Sequence, residues 1–219
     1  PLLVQYFKEQ NITKFDYLIT THPHEDHIGG MDDIINNFDI EKIYMPDVTT
    51  TTKTFLDVLE AIEKKNMTYD VPNINQNFTL GNTLFQVIYT GNDKKNLNNS
   101  SIILKATFKN TSYLFTGDAT SEVEKKILSK DIKATVLKVG HHGSKYSTTT
   151  EFLNKVNPKY AIISVGKNNS YNHPNQITID KLTKKNIEIH RTDQEGSIFL
   201  KSDGKTINIT SKQTNTNGG

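Results

Sequence analysis

His22-Pro23-His24-Glu25-Asp26-His27-Ile28-Gly29-Gly30 is the stretch from which the rest of the chain is read. Within six residues it holds three of the seven histidines and two carboxylates. It directly follows Phe15-Asp16-Tyr17-Leu18-Ile19-Thr20, an apolar run of strand length. In extended backbone alternate side chains share a face, so the spacing predicts that His22, His24 and Asp26 converge. His27 breaks the alternation and is free to serve a second site as the chain turns at Gly29-Gly30. Imidazole and carboxylate are ligands that zinc or manganese accept. A solvated polar loop is the alternative, and it leaves three histidines crowded behind a buried strand without a reason.

Outward from this point the chain alternates helices and strands. Leu2 to Lys8 has the spacing of an amphipathic helix, and Met31 to Phe38 is helical after the turn. Lys42 to Met45 is a short strand stopped by Pro46. Thr49 to Thr52 leads into a helix over Phe55 to Lys65, with Leu56, Leu59 and Ile62 expected on its buried face. Strands are predicted over Thr83 to Tyr89, Ser101 to Phe108 and Ser112 to Phe115, with the polar Gly91 to Asn99 segment as a loop. Further on, helices over Ser121 to Leu128, Glu151 to Val156 and Ile177 to Lys184 alternate with strands over Ala134 to Val139, Tyr160 to Val165 and Ile187 to His190. Strands over Gly196 to Lys201 and Thr206 to Ile209 follow. Such a pattern means a mixed α/β layer architecture. Residues 1–210 read as one domain, and the polar, Gly-ended stretch 211–219 as a linker or tail.

Composition narrows the function classes. The 219 residues carry 26 basic and 24 acidic side chains, so the chain is not a general polycation, and any nucleic-acid contact must come from a local patch. Zero Cys excludes disulfides, thiolate zinc sites and Cys nucleophiles. No apolar run has the roughly 18 residues needed to cross a bilayer. The chain starts at Pro1 and reads as a piece of something longer; its oligomeric state is not legible.

Three later segments bring further polar residues to strand ends: Leu114-Phe115-Thr116-Gly117-Asp118-Ala119, Leu137-Lys138-Val139-Gly140-His141-His142-Gly143-Ser144 and Asn172-His173-Pro174. Taken alone, Asp118 is either a metal ligand or a turn residue capping the helix behind it. His190, beside Arg191, is expected to be structural. Ser144 and Ser147 are of a type that donates hydrogen bonds to phosphate. With the His cluster, these segments match the HxHxDH motif and the downstream motifs of the metallo-β-lactamase superfamily. They are similar in particular to the hydrolase domain of ComEC-type DNA-uptake proteins and their free-standing relatives. The resemblance runs from about Ile12 to Ile209, and Arg191-Thr192-Asp193 with Gly196 also fits it.

The resemblance implies an αββα sandwich holding two divalent ions, Zn or Mn. His22, His24, Asp26, His27, Asp118 and His141 would be ligands, with Asp118 bridging the two ions and His142 facing substrate. His141 and His142 remain interchangeable at this point. His173, with Asn172, would contact phosphate or protonate the leaving alkoxide, and Asp26 would serve both metal and catalysis. Two bridged ions lower the pKa of bound water from 15.7 to roughly 7, which needs no Ser or Cys nucleophile. The implied reaction is phosphodiester hydrolysis, with single-stranded DNA the first candidate substrate. A phosphocholine ester or a lactone is the alternative substrate, and a catalytically idle DNA-uptake module the alternative class. The Asn98-Asn99-Ser100-Ser101 segment has no His where many superfamily members place one, so the ion on His22 and His24 should be held more weakly. The chain also lacks the N-terminal strands of the superfamily, which predicts an uncovered sheet edge and marginal stability. Similarity places such domains outside the cytoplasmic membrane, extracellular or at the cell surface.

Overall fold

A computed structural model describes residues 2–213. They form two compact units: residues up to Ile74 together with Thr90–Ile102, and Asn75–Tyr89 together with Ile103 onward.

The first unit begins with α1 (Leu2–Glu9), β1 (Lys14–Ile19), α2 (Glu25–Ile28), α3 (Met31–Asn37), β2 (Asp39–Tyr44) and α4 (Lys53–Lys64). β1 and β2 pair in parallel, Phe15 opposite Ile40 and Ile19 opposite Tyr44, in a two-stranded sheet. α4 starts where the Thr52 hydroxyl accepts from the Phe55 amide at 3.4 Å, satisfying a donor that the first turn leaves open. Its buried stripe is Phe55, Val58, Ala61 and Ile62. This corrects the expected Leu56 face: Leu56 is half exposed, because Phe55 rather than Leu56 enters the core and sets the phase of the stripe. Ile28, Ile35, Ile43, Met45 and Val58 close this core.

The second unit contains a seven-stranded mixed sheet in simple chain order. It runs β3 (Asn77–Leu80), β4 (Thr83–Tyr89), β5 (Ile103–Phe108), β6 (Thr111–Phe115), β7 (Val136–Lys138), β8 (Tyr160–Ile163) and β9 (Glu188–Arg191). The first four strands are antiparallel; from β6 onward neighbours are parallel. The switch follows from connection length. Two-residue turns join β3 to β4 and β5 to β6, and the longer Thr90–Ile102 segment joins β4 to β5, whereas α5 (Ser121–Ile127), α6 (Thr150–Val156) and α7 (Gln176–Lys184) supply the crossovers beyond β6. Val123, Ile127, Phe152, Leu153, Val156 and Leu182 from those helices share one core with Ile103, Leu114, Leu137 and Ile163 of the sheet. After α8 (Thr192–Glu195), β10 (Ser197–Ser202) and β11 (Ile207–Lys212) form a separate antiparallel pair.

β3 was not expected. Leu80 and Thr83 pair across the two-residue turn Gly81-Asn82, with Gly81 at φ +54°, a conformation that glycine adopts without a Cβ clash. β11 also continues to Lys212, so Ser211 and Lys212 belong to a strand rather than to the expected tail; residues 214–219 of that tail lie outside the described residues.

Candidate functional site

The first unit builds a group of candidate ligands on the exit from β1. The Thr20 amide donates to the Tyr44 carbonyl (3.0 Å) and the Ile102 amide to the Thr21 carbonyl (2.9 Å), so the backbone is pinned before the histidines begin. His22 is fully buried. The Thr21 hydroxyl lies 3.1 Å from His22 Nδ1 and 3.3 Å from His27 Nδ1, and Ser101 Oγ stands 3.5 Å from the same His22 nitrogen. His22 Nε2 then faces His24 Nδ1 at 3.1 Å. The histidines are therefore gathered, but not by extended alternation. His24 caps the one-turn helix α2 at φ −79°, ψ 148°, and the His27 and Ile28 amides both donate to its carbonyl. Asp26 and His27 thus sit on a helical turn, with Asp26 Oδ2 3.6 Å from His27 Nε2. Ile28 anchors the turn in the core, and a Cβ on Gly29 would meet the Glu25 carbonyl oxygen at 2.6 Å.

The second unit presents Asp118 just past β6. Gly117 at φ +53° turns the chain, and Thr116 Oγ1 donates to the Lys138 carbonyl (2.8 Å). Asp118 is 3% exposed. It does not cap α5; Thr120 does, accepting from the Glu122 amide. Its carboxylate is thereby left to the histidines of the next loop: His142 Nε2 lies 3.4 Å and His141 Nε2 3.9 Å from Asp118 Oδ2.

These histidines do not diverge as strand neighbours would. Both are left-handed, His141 at φ 50°, ψ 47° and His142 at φ 53°, ψ 23°, so a tight turn brings both rings to one carboxylate. His142 Nδ1 is 2.7 Å from the Ser164 carbonyl. A carbonyl only accepts, so this contact puts a proton on Nδ1 and leaves Nε2 as the ligating nitrogen in the neutral ring. Hydrogen bonding and charge from Asp118 hold the pKa of His142 above its ordinary value.

His173 comes from the loop after β8. Asn169 brackets it, accepting from its amide (2.9 Å) and donating to its carbonyl (2.7 Å). Its ring lies 5.7 Å from that of His141, and Nδ1 is buried without a hydrogen-bond partner among the described residues. Burial first, then the neighbouring His142, lowers its pKa, which keeps the free imidazole neutral near pH 7.

One of the two expected phosphate donors is otherwise engaged. Ser147 Oγ is buried and donates to the Ala119 carbonyl (2.8 Å), so its one proton braces the Asp118 loop. Ser144 is buried and accepts from the Tyr146 amide (3.3 Å). Asn172 is exposed, at φ 54°. His190 bridges Glu195 (2.9 Å) and Glu188 (3.1 Å), consistent with a structural part. Thr21, the Ser164 carbonyl and Asn169 were not foreseen. Their contributions are a hydroxyl between two rings, a main-chain acceptor and a loop clamp, and none of these has a sequence spacing to mark it.

The profile of the metallo-beta-lactamase superfamily matches residues 3–167, about three-quarters of the chain. The chain belongs to the metallo-beta-lactamase superfamily. ComE operon protein 3 of Bacillus subtilis (strain 168) is 34% identical over 200 residues, 90% of this chain and 26% of that protein. Recombination protein 2 of Haemophilus influenzae (strain ATCC 51907 / DSM 11121 / KW20 / Rd) is 27% identical over 198 residues, 90% and 23% respectively. The chain therefore spans about a quarter of the length of these relatives. Among solved structures, the metallo-beta-lactamase fold protein YhfI from Bacillus subtilis aligns over 95% of this chain and 82% of its own, with a TM-score of 0.57 at 11% identity, a likeness of fold. As a superfamily hydrolase domain the chain carries donors able to hold a metal, Asp26 and His27 in the first unit and Asp118 and His142 in the second. Imidazole nitrogens and carboxylate oxygens without thiols, one of them an Nε2 freed by its tautomer, fit a zinc or manganese ion.

Proposed function

We propose that the domain hydrolyses phosphodiester bonds with two divalent ions, Zn or Mn. His22 and His24 serve one ion, Asp26 and His27 the other, and Asp118 both. The second ion takes His142, whose Nδ1 is already committed to Ser164; His141, turned toward His173, takes the substrate side. When bound, the ions supply activated water and offset charge on the phosphate oxygens.

The observation that carries the reading is the position of His173. It is an imidazole clamped by Asn169 in the same unit as Asp118 and His142, its pKa lowered first by burial and then by His142, with Asp118 pulling the other way. An anionic phosphodiester arriving beside it would favour its protonated form, so the ring acquires a proton where a leaving alkoxide needs one. A lactam or lactone brings no such charge. The name of one relative, a recombination protein, supports DNA as the phosphodiester; a setting at or beyond the cell surface belongs to the proposal through the resemblance alone. No helix of the described residues is long and apolar enough to cross a membrane. A catalytically idle module would have no need to keep His22, His24, Asp26, His27 and Asp118 together. The test is turnover of a small chromogenic phosphodiester and of single-stranded DNA by metal-loaded protein, beside lactam, lactone and phosphocholine-ester controls. Cleavage of the phosphodiesters alone is expected; turnover of the controls without them would overturn the proposal.

A further inference from the structure

Two loops of the second unit frame Asp118, His142 and His173: residues 144–149 after the double-His turn, and 166–175 before α7. They meet where the Asn175 amide donates to the Gly143 carbonyl at 2.9 Å. A Cβ on Gly143 would stand 2.5 Å from that of Pro174, so the two backbones are in close contact. Each loop carries one lysine and one outstanding tyrosine, Lys145-Tyr146 and Lys167 with Tyr171, and neither carries an acidic residue. The two loops thus bring two lysines and no carboxylate of their own to the side of the site.

The tyrosines are the less ordinary part. Tyr146 is 63% exposed and Tyr171 78%, yet both spring from fixed backbone. The Tyr146 amide donates to Ser144 Oγ (3.3 Å), and its carbonyl accepts from the Ser121 amide (2.9 Å). Tyr171 leans on His173, ring centroids 5.9 Å apart and planes 25° from parallel, within the turn that Asn169 clamps at both ends of His173. Rings this exposed contribute little to the core; the backbone beneath Tyr146 is already fixed, with Lys145 Nζ 5.2 Å from its ring centroid, and Tyr171 leans on His173, so part of the entropic cost of binding a ligand is lowered in advance.

We propose that Tyr146 and Tyr171 are stacking platforms for unpaired nucleobases, with Lys145 and Lys167 beside them for the flanking phosphates. The idea rests on the phosphodiester reading and adds the side chains that would hold a single strand, bound through base faces and so without strong sequence preference. A duplex keeps its bases stacked on one another, and a polyol-phosphate or choline ester has no base to offer. Aromatic stacking is worth enough per base to change affinity by on the order of 5- to 100-fold.

The experiment is fluorescence anisotropy with metal-free protein, which binds without cleaving. The probes are an oligodeoxythymidine, an abasic strand of the same length and charge, and a duplex. The thymidine strand should bind more tightly than the other two by at least about 5-fold. Tyr171→Ala and Tyr146→Ala should each remove part of that preference, Tyr171→Phe should retain it, and neither Ala variant should weaken the abasic strand. Unchanged melting temperatures would show that the variants are folded. Equal affinity for the thymidine and abasic strands, or a Tyr146→Ala/Tyr171→Ala double variant that keeps the preference, would overturn the proposal. Separately, wild-type turnover of a small chromogenic phosphodiester tests the hydrolytic reading by itself: its absence sinks that reading while the base preference stands or falls on the anisotropy.

Discussion

His142 and His173 show why residues in one cluster are expected to fail differently. Asp118 is a buried carboxylate facing two imidazoles, so Asp118→Ala should lose metal and turnover together. His173→Ala should keep its metal by calorimetry and lose about 10²- to 10⁴-fold in rate, least with a nitrophenolate leaving group that needs no proton. Loss of metal on that substitution would make His173 a ligand. The paired histidines give a second comparison: His142→Ala should lower metal stoichiometry on chelator-stripped protein, and His141→Ala should not. The reverse result would exchange the two roles. The cluster His22, His24, Asp26 and His27 was legible in the sequence because packing and turn formation seldom call for three histidines gathered at the end of an apolar strand, whereas Asp118 and His173 stood out only through the resemblance. The choice between His141 and His142 was not, since it depends on consecutive left-handed residues and on the carbonyl of Ser164. Ser147 looked available to phosphate because a sequence does not show that its proton already belongs to Ala119.

Among the elements, α5 has a role that its amphipathic pattern conceals. Glu124 lies on its buried side, 3% exposed, and accepts from the Thr148 amide and, at 2.9 Å, from the Thr149 amide. Thr148 is left-handed, φ +60°, a costly state for a β-branched residue, and Thr149 caps α6. One carboxylate therefore holds the end of the double-His loop. Glu124→Ala leaves buried amides unpaired and should cost about 1–3 kcal/mol, read as a lower urea midpoint. Burial raises the pKa of Glu124 above its ordinary 4.5, against the pull of the two amides. Its contribution to stability is then full below that ordinary value and declines as pH rises through the raised one. Urea titrations at several pH values should show this decline in the wild type and not in Glu124→Gln; identical pH slopes would refute the assignment. The sequence pattern located α5 but did not single out Glu124. Likewise β3 escaped because four residues give too little alternation, though Leu80-Gly81-Asn82-Thr83 held a turn signal. The extended reading of His22, His24 and Asp26 failed from Glu25 onward because a one-turn helix has no periodicity to detect.

For the molecule as a whole, the proposed ligands come from residues as far apart as His22 and His142, so metal should bind the folded chain and not the unfolded one. At a hundred times the dissociation constant, such binding adds roughly 2.7 kcal/mol. Zinc or manganese should therefore raise the melting temperature of stripped protein, and Asp118→Ala should abolish the rise; an equal rise in that variant would mean that the ions bind elsewhere. The layer pattern of the chain was readable because α5, α6 and α7 separate β6 to β9 at the lengths parallel crossovers require, whereas its division into two units was not. β10 and β11 make a different kind of element. They are paired only with each other, contribute no side chain to the core clusters, and are tied back through Thr111 to Ser202 (2.7 Å) and the Asn110 amide to the Gly204 carbonyl (2.9 Å). In deuterated solvent this hairpin should behave as its own clock: its ladder amides should exchange in a shared early phase, while those of β5, β6 and β7 wait for global unfolding.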